Sequence, residues 1–555
     1  MTSSSLLGRL DLTSFSEDPE ISGDGLVAEI SAFNYFSKSR SLYSVTIGGS
    51  DRVTVGNWSN VSNPEIVDQK RILGYETASV VASKGFIAIG AAPSDYGTTP
   101  SNSVIKFFKM KSDGQLLDLG GVDTGFLTDN IKFSRNGKKL FTANEGEVND
   151  DYTIDPAGSV SIIKLNRRFP ELSSVTNITF PELDDSSVSL LGGGIRFSGK
   201  TGITTSFGQD AEPEYLAQAG KYLFVTLQES NTVARINLRT NQVEAYIGLG
   251  VVDYSKVSVD LDDRDGPNKS EIFNPVLGQD VVGLRMPDMI DTWKKGKNIY
   301  FVTANEGDSR DREDLGDYID ESRNGDLGYS GIPNRQKLIV DGNDRDNALI
   351  LNPDSTSPAD NFTFESGTRT GTPVSFGSRS LSLFDGITGE LLWDSWMTDN
   401  IKGTNYNTSL QNIAAFAGIY PDGRSDDKGV EPEAIITVAY KGRRYAVGSL
   451  ERTTAGDKTG SSPDPVTQGG LLVVYDVTNP NNVDFVTYQQ VSRSPEGLEN
   501  IPANQNPTGS LLLGVSSEFD SNSVELFDFG ALLKNGNGAA YLASDLANPA
   551  LYATL

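Results

Sequence analysis

The sequence predicts an all-β fold: a seven-bladed β-propeller of the WD40/YVTN-like kind, with long inter-strand insertions. Three observations lead there. Fifty-seven glycines, with many Ser, Asn and Asp residues, punctuate short runs rich in Val, Ile, Leu, Tyr and Phe across 555 residues, the pattern of short strands joined by turns. Helical periodicity is scarce; its best candidates, Asp291–Lys295 and Ala539–Leu546, are short or mixed. One unit also recurs along the chain, opening on an acidic residue, often after Pro, and running through four strands, the second commonly ending in Glu.

Taken in order, unit one has Glu29-Ile30, SLYSVTI, RVTVGNW and NPEIVDQKRIL, and unit two has ASVVASKG, FIAIGAA, NSVIKFFKM and QLLDLGGV. Unit three opens at Asp129-Asn130-Ile131 and runs through KKLFTANE to Glu145, then GSVSIIKL and SSVTNITF. Unit four opens at Pro213-Glu214 and reaches Glu229, followed by TVARINL and QVEAYIGL. Unit five opens at Pro287-Asp288 and runs to Glu306; after a long insertion RSLSLFDG and ELLWDSW complete it. Unit six is the clearest, with Pro432-Glu433, RRYAVGSLE to Glu451, GGLLVVYDV and VDFVTYQQV. Unit seven has Pro495-Glu496, SLLLGVSSE to Glu518 and SVELFDF, and lacks a fourth strand of its own. The stretch at about 6–15, LLGRLDLTSF, is placed to supply it and close the ring, the arrangement that protects strand edges in propellers. Residues 1–533 thus read as a single propeller and 534–555 as a C-terminal tail. Insertions at about 170–211, 253–286 and 307–379 are long enough to be functional or independently packed.

Composition limits the chemistry. There is no Cys and no His, which excludes disulfides, thiolate nucleophiles, zinc fingers, iron–sulfur clusters, histidine triads and His-ligated haem. The 47 Lys+Arg against 74 Asp+Glu leave a formal net charge of −27. Such a surface attracts cations and speaks against nucleic acid or anionic membrane as partners. The first twenty residues carry no continuous apolar run of the signal-peptide type, and no window approaches ~18 uninterrupted apolar residues, so no membrane insertion is expected.

At Ala143–Ile163, ANEGEVNDDYTIDPAGSVSII, the chain resembles the choice-of-anchor I family, which includes mesenchyme-specific surface glycoproteins and propeller proteins described as cyanobacterial alkaline phosphatases. The resemblance continues through QDAEPEYLA, MPDMIDTW, VTANEGDSRD, RSDDKGVEPEAI and SPEGLENIP, and covers roughly residues 25–530. It implies a seven-bladed propeller on an extracellular or cell-surface protein, with no settled activity. The sequence departs from the family in showing neither the usual secretion signal nor an anchoring segment after the propeller.

Candidate site residues come from the repeat itself. In a blade, the start of the innermost strand lies beside the end of its antiparallel neighbour. Asp129/Glu145, Glu214/Glu229, Asp288/Glu306, Glu433/Glu451 and Glu496/Glu518 are therefore expected as five carboxylate pairs around one rim. Crowded carboxylates need protons, Arg or Lys partners, backbone donors or a bound cation. A hard cation such as Ca²⁺ suits an all-oxygen ring, to which Asn144 and Asn305 would add amide oxygens. The competing reading has these acids as blade-to-blade staples paired with Arg310, Arg424 and Arg452.

DLDDRDG at Asp260–Gly266 looks like a calcium loop, but its spacing fails, since position one would fall on Leu261; a solvated acidic loop is expected. GDSRDREDLGD, Gly307–Asp317, is expected to satisfy its charges internally. GIRFSGKT, Gly194–Thr201, matches the phosphate-loop spacing, yet poor helix material follows it, so no nucleotide is expected. Two functions remain. One is a non-catalytic acidic surface propeller that binds divalent cations and serves adhesion, assembly or surface structure through a protein partner. The other is a calcium-dependent phosphoesterase, alkaline phosphatase-like, working at the acidic rim with the three arginines as anion clamps.

Overall fold

The computed structural model describes residues 5–12, 28–149, 153–199, 205–310, 318–352, 354–367, 369–397, 408–453, 469–518 and 521–535. Ala539–Leu546, most of the 534–555 tail, and Lys200 and Thr201 of the phosphate-loop match lie outside them.

Seven antiparallel sheets, each containing four consecutive blade strands A to D, form a propeller. Their innermost strands are Ile30–Phe36, Tyr75–Ser83, Thr128–Phe133, Pro213–Ala219, Ile290–Lys295, Pro432–Tyr440 and Pro495–Ile501. Each touches its neighbours on both sides, and contact between the last and the first closes the ring. The outermost strand of blade 7 is Leu6–Asp11, antiparallel to Ser523–Asp528. Blades are joined by apolar layers; between blades 4 and 5, for example, Phe224 packs on Phe301 at 5.6 Å and Phe301 stacks on Phe384 at 5.0 Å.

Asp291–Lys295 is strand rather than helix. It belongs to the inner strand of blade 5, where Trp293 sits opposite Tyr300 with ring centroids 5.2 Å apart. A segment this short cannot nucleate a helix by itself, and cross-strand pairing decides its conformation.

The long insertions are built on one pole. Because strand A leaves that pole and strand B returns to it, both the B–C and the D–A connections lie there, and the opposite pole carries shorter A–B and C–D connections, the longest with a single 3-10 turn at Ala503–Gln505 or Pro170–Leu172. The blade 4 to blade 5 connection supplies Val251–Asp253 and Val282–Leu284 to a satellite sheet, and the B–C connection of blade 5 supplies Lys337–Asp341, Asp344–Leu351 and Thr372–Ser375. The two insertions are joined by parallel pairing of Val282–Leu284 with Thr372–Ser375. They share a core that includes Tyr254, Leu261, Val281, Leu338, Val340 and Trp396. Ser189–Gly193, from the first insertion, adds a parallel fifth strand to blade 4. A further connection, between blades 5 and 6, carries the helix Leu410–Phe416.

Candidate functional site

The inner rim is set by a backbone device repeated from blade to blade. In blades 3, 4, 6 and 7 the A–B register shifts at the start of strand A, as between Pro432 and Ile435 or between Pro495 and Gly497. A β-bulge of this kind re-aims one side chain, and the bulged stretch contains Asp129, Glu214, Glu433 or Glu496. Two residues upstream of each rim acid, Leu127, Glu212, Met286, Glu431 and Ser494 all have positive φ, between 37° and 51°. In four of the five, the next residue is proline. Non-glycine residues hold this conformation only where surrounding structure over-determines it. Here the strained carbonyls are used: Leu127, Glu431 and Ser494 accept from the N–H of Glu145, Glu451 and Glu518 at 2.7, 3.0 and 3.0 Å. The strain therefore docks the end of strand B against the start of strand A, and two carboxylates come together.

Asp129, Glu214, Asp288, Glu433 and Glu496 form the inner ring, and Glu29 of blade 1 joins them as a residue that the sequence reading left out of the set. Gly497 lets blades 7 and 1 approach, since a Cβ there would lie 2.7 Å from the Glu29 carbonyl oxygen. Blade 2 interrupts the ring with Ala78 in its register shift. Burial pushes the pKa of all six acids up, Asp129 to about 7, and for the other five neighbouring acids add to the shift. For Glu496 those neighbours are Glu451, Glu518, Glu29 and Asp288. Glu214 Oε2, Asp288 Oδ2 and Glu433 Oε2 are buried with no hydrogen-bond donor among the described residues. The Tyr215 hydroxyl is also raised, first by burial and then by Asp288, Asp129, Glu433 and Glu29. Beside the ring lies a cavity of about 280 Å³, lined by Ile30, Val80, Ile131, Ile290 and Leu498, with Lys132 and Glu499 also in its wall.

The outer layer is chemically different. Glu306 bonds Lys428 at 2.7 Å, and Lys428 also reaches Asp308 at 3.1 Å. Glu431 pairs with Arg424 and lies 3.8 Å from Arg452, which contacts Glu451 at 2.9 Å. Arg310 lies 2.7 Å from Glu212 and 3.4 Å from Asp210, with only 7% of its side chain exposed. The staple reading thus describes this layer, and each arginine considered as an anion clamp is engaged by carboxylates. Arg310 bridges from blade 5 to the entry of blade 4; residues 311–317 of Gly307–Asp317, on which the expected internal charge pairing rests, lie outside the described residues. An acid two residues before the rim position, at Glu212 and Glu431, was the missed signal.

Among the described residues, two carboxylate trios offer oxygens within 4.8 Å of one another: Glu306, Glu431 and Glu451, and Glu451, Glu496 and Glu518. Both contain Glu451 and so lie beside Arg452; the first is further crowded by Lys428 and Arg424, whereas the second faces the ring acids. Burial raises Glu451 and Glu229 to about 8 each, partly offset by Arg452 and Arg310. Blade 4 departs by one residue. Pro213 pairs with Leu227, so Gln228 takes the strand-end position and donates to Glu306 Oε2 at 3.0 Å, with Glu229 one step beyond.

Asn144 and Asn305 are not rim ligands. Successive strand residues face opposite ways, which turns both amides into their own blades. The Asn144 oxygen accepts from Thr128 and Thr142, and Asn305 donates to Ser380 and Ser382. Asp260–Gly266 is only partly solvated: Asp260 is 1% and Asp263 4% exposed where the insertions fold over them, while Arg264 stays exposed.

The sequence pattern of the choice-of-anchor I domain matches residues 31–480. No curated protein matches the chain. Among solved structures, the β-propeller domain of Myceliophteria thermophila Cps50 (Swd1) is similar at 8% identity and TM-score 0.38, covering 90% of this chain and 96% of that one. A putative 6-phosphogluconolactonase from Bacteroides uniformis is similar at 11% identity and TM-score 0.39, covering 91% and 92%. Kuenenia stuttgartiensis hydrazine synthase is similar at 10% identity and TM-score 0.42, covering 92% and 98%. Likenesses this distant carry no argument about activity.

Proposed function

The chain belongs to the choice-of-anchor I family, a cell-surface group, and from that premise we propose that it is a non-catalytic surface propeller whose acidic pole binds divalent cations, Ca²⁺ foremost. Among the described residues no helix is long and apolar enough to cross a membrane. The observation that carries the proposal is the set of buried carboxylate oxygens without donors at Glu214, Asp288 and Glu433, beside the trio Glu451, Glu496 and Glu518. A buried charge without a partner costs several kcal/mol, on the order of the penalty for each desolvated ion. A proton or a cation must cancel it. All donors are oxygens, the set that suits Ca²⁺, and the residues that would hold it are Glu451, Glu496 and Glu518 with the ring acids.

Bound cations at this pole lie among the insertions, and they would shape the surface that meets an adhesion or assembly partner. The test is calorimetric titration of Ca²⁺ into the protein and into Glu451→Gln, with exposed Glu390→Gln as control. Tight binding that the first substitution weakens supports the site; absence of binding to the unsubstituted protein removes it.

A further inference from the structure

Charge is divided between the two poles. Of the seven A–B connections, all at the pole opposite the rim, six carry Lys or Arg and none carries an acid, although acids outnumber bases 74 to 47 in the chain. The net charge of −27 therefore hides a ring of basic turns at the far ends of the innermost strands, and the expected repulsion of anions does not extend to it. Blades 5 and 6 shape part of this ring into an open cavity of about 340 Å³, between Trp293–Lys295 and Ala439–Arg444, with Thr478 of the blade 6 C–D turn at its side. Its wall holds Lys294, Lys295, Lys441, Arg443 and Arg444 and no carboxylate. Arg443 is answered by Asp476 at 2.7 Å; among the described residues the other four form no ion pair.

Register turns two of these cations into the cleft between the blades. Side chains alternate along a strand, and Asp291, which accepts from the N–H and hydroxyl of Thr437 at 2.7 and 2.8 Å, marks the face that blade 5 shows to blade 6. Lys295 shares that face with Asp291 and Trp293, and its ammonium donates across to the Thr478 carbonyl at 2.9 Å. On blade 6, Arg444 lies opposite Ala439, on the face of Thr437, and its guanidinium reaches the Thr437 hydroxyl at 3.4 Å. The Arg444 backbone N–H donates to the Thr478 hydroxyl at 2.9 Å, so Thr478 ties both cations to one corner. Arg444 is half-buried, and its remaining guanidinium donors have no acceptor among the described residues. Burial lowers its pKa, which Asp291 offsets in part and Arg135 lowers further. A guanidinium so placed, with no carboxylate against it, is short of an anion.

We propose that this cleft is an oxyanion site, binding a phosphate or sulfate group, free or carried on a small organic molecule, with Arg444 and Lys295 as its donors. The guanidinium offers two parallel N–H groups to two oxygens of such a group, and the ammonium a point charge to a third. Lys294 and Lys441, both exposed, add attraction at longer range. The cavity has the volume of a small-ligand pocket, so it leaves room beyond the oxyanion for an organic part. The site is separate from the rim, shares no residue with it and uses no metal.

The test is calorimetric titration of phenyl phosphate, phenyl sulfate and inorganic phosphate into the full chain, in chelator and at one fixed ionic strength, so that screening is constant. At least one of these anions is expected to bind; equal affinity for inorganic phosphate assigns the site to the free ion, and preference for an ester assigns it to the organic anion. Arg444→Gln and Lys295→Gln should each weaken binding at least roughly tenfold, the scale of one hydrogen bond to a charged group. The exposed Lys109→Gln and the rim variant Glu451→Gln should leave it unchanged. Lys295 is exposed, so Lys295→Gln carries the test if Arg444→Gln does not fold. No binding of any of the three to the unsubstituted chain, or equal binding by the folded variants, overturns the proposal and leaves these cations as a solvated surface. An equal loss in Lys109→Gln would reveal diffuse attraction only and overturns it too. Affinity for phosphatidylserine vesicles without affinity for the three anions would replace it with a membrane-facing pole.

Discussion

Asp288 and Glu433, the rim acids of blades 5 and 6, sit close enough for the Asp288 charge to raise the Glu433 pKa. Both are raised by burial, and each is raised further by Glu306 and Glu451. The rim therefore has two ways to relieve its charge, and protons compete with metal.

That competition gives a pH dependence. Glu229 and Glu451 titrate at about 8 in the folded protein, against 4.5 for an ordinary glutamate. Between those values folding takes up protons, so the contribution of these two groups to cation-free stability is fully present below about 4.5 and is lost as pH rises through about 8. Ca²⁺ binds the deprotonated carboxylates, and the rise in Tm that it produces should grow with pH. Thermal melts in chelator and in excess Ca²⁺, at about pH 5.5 and about pH 8 on either side of neutrality, check this; equal increments at both would contradict it.

Glu451 belongs to both close trios. Its replacement by Gln should weaken rim Ca²⁺ binding more than replacement of Glu306, whose charge Lys428 already answers at 2.7 Å. A loss of roughly tenfold or more is expected for Glu451→Gln, read by calorimetry on both variants.

Arg310 is a buried staple. Arg310→Met would remove the guanidinium from Glu212 and Asp210, and removing one member of a buried pair costs roughly 3–5 kcal/mol. Urea unfolding should show a loss of that order. A variant as stable as the parent would place Arg310 outside the structural framework.

Ser494 holds φ at 51° and carries a buried hydroxyl with no hydrogen-bond partner among the described residues. Ser494→Gly relieves both and should stabilise the protein by about 1 kcal/mol. A loss of stability would mean that the strained conformation is not the limiting cost at this position.

Arg310, Arg424 and Arg452 all face carboxylates, which leaves no free guanidinium among these three to hold a phosphoryl group. Assay of a generic phosphomonoester with added Ca²⁺ should show no turnover. Turnover abolished by Glu306→Gln and Glu451→Gln would instead establish the phosphoesterase reading.

Much of the rim was readable because the propeller repeats it. The Pro-acid opening and the Glu at the end of the second strand recur at fixed register, so Glu433 and Glu451 are neighbours as soon as their strands are antiparallel. Glu29 was harder to rank, since unit one lacks both the proline before its acid and the Glu after its second strand. Glu229 was placed one residue off, because only the pairing of Pro213 with Leu227 shows that Gln228 ends the strand. The outer staples were recognised in kind but not in partner: Lys428 and Glu306 are 122 positions apart and meet only when blades 5 and 6 dock.

By itself the sequence determined the seven repeats, the pole on which their acids converge, and the restriction of any site to oxygen ligands and Arg or Lys. These follow from local spacing and from which residue types are absent. Tertiary structure alone decided which carboxylates are neutralised and which are not. That depends on burial and on charges brought from distant loops, such as Arg310 against Glu212, and a buried charge is governed by what surrounds it in space rather than by its neighbours in the chain.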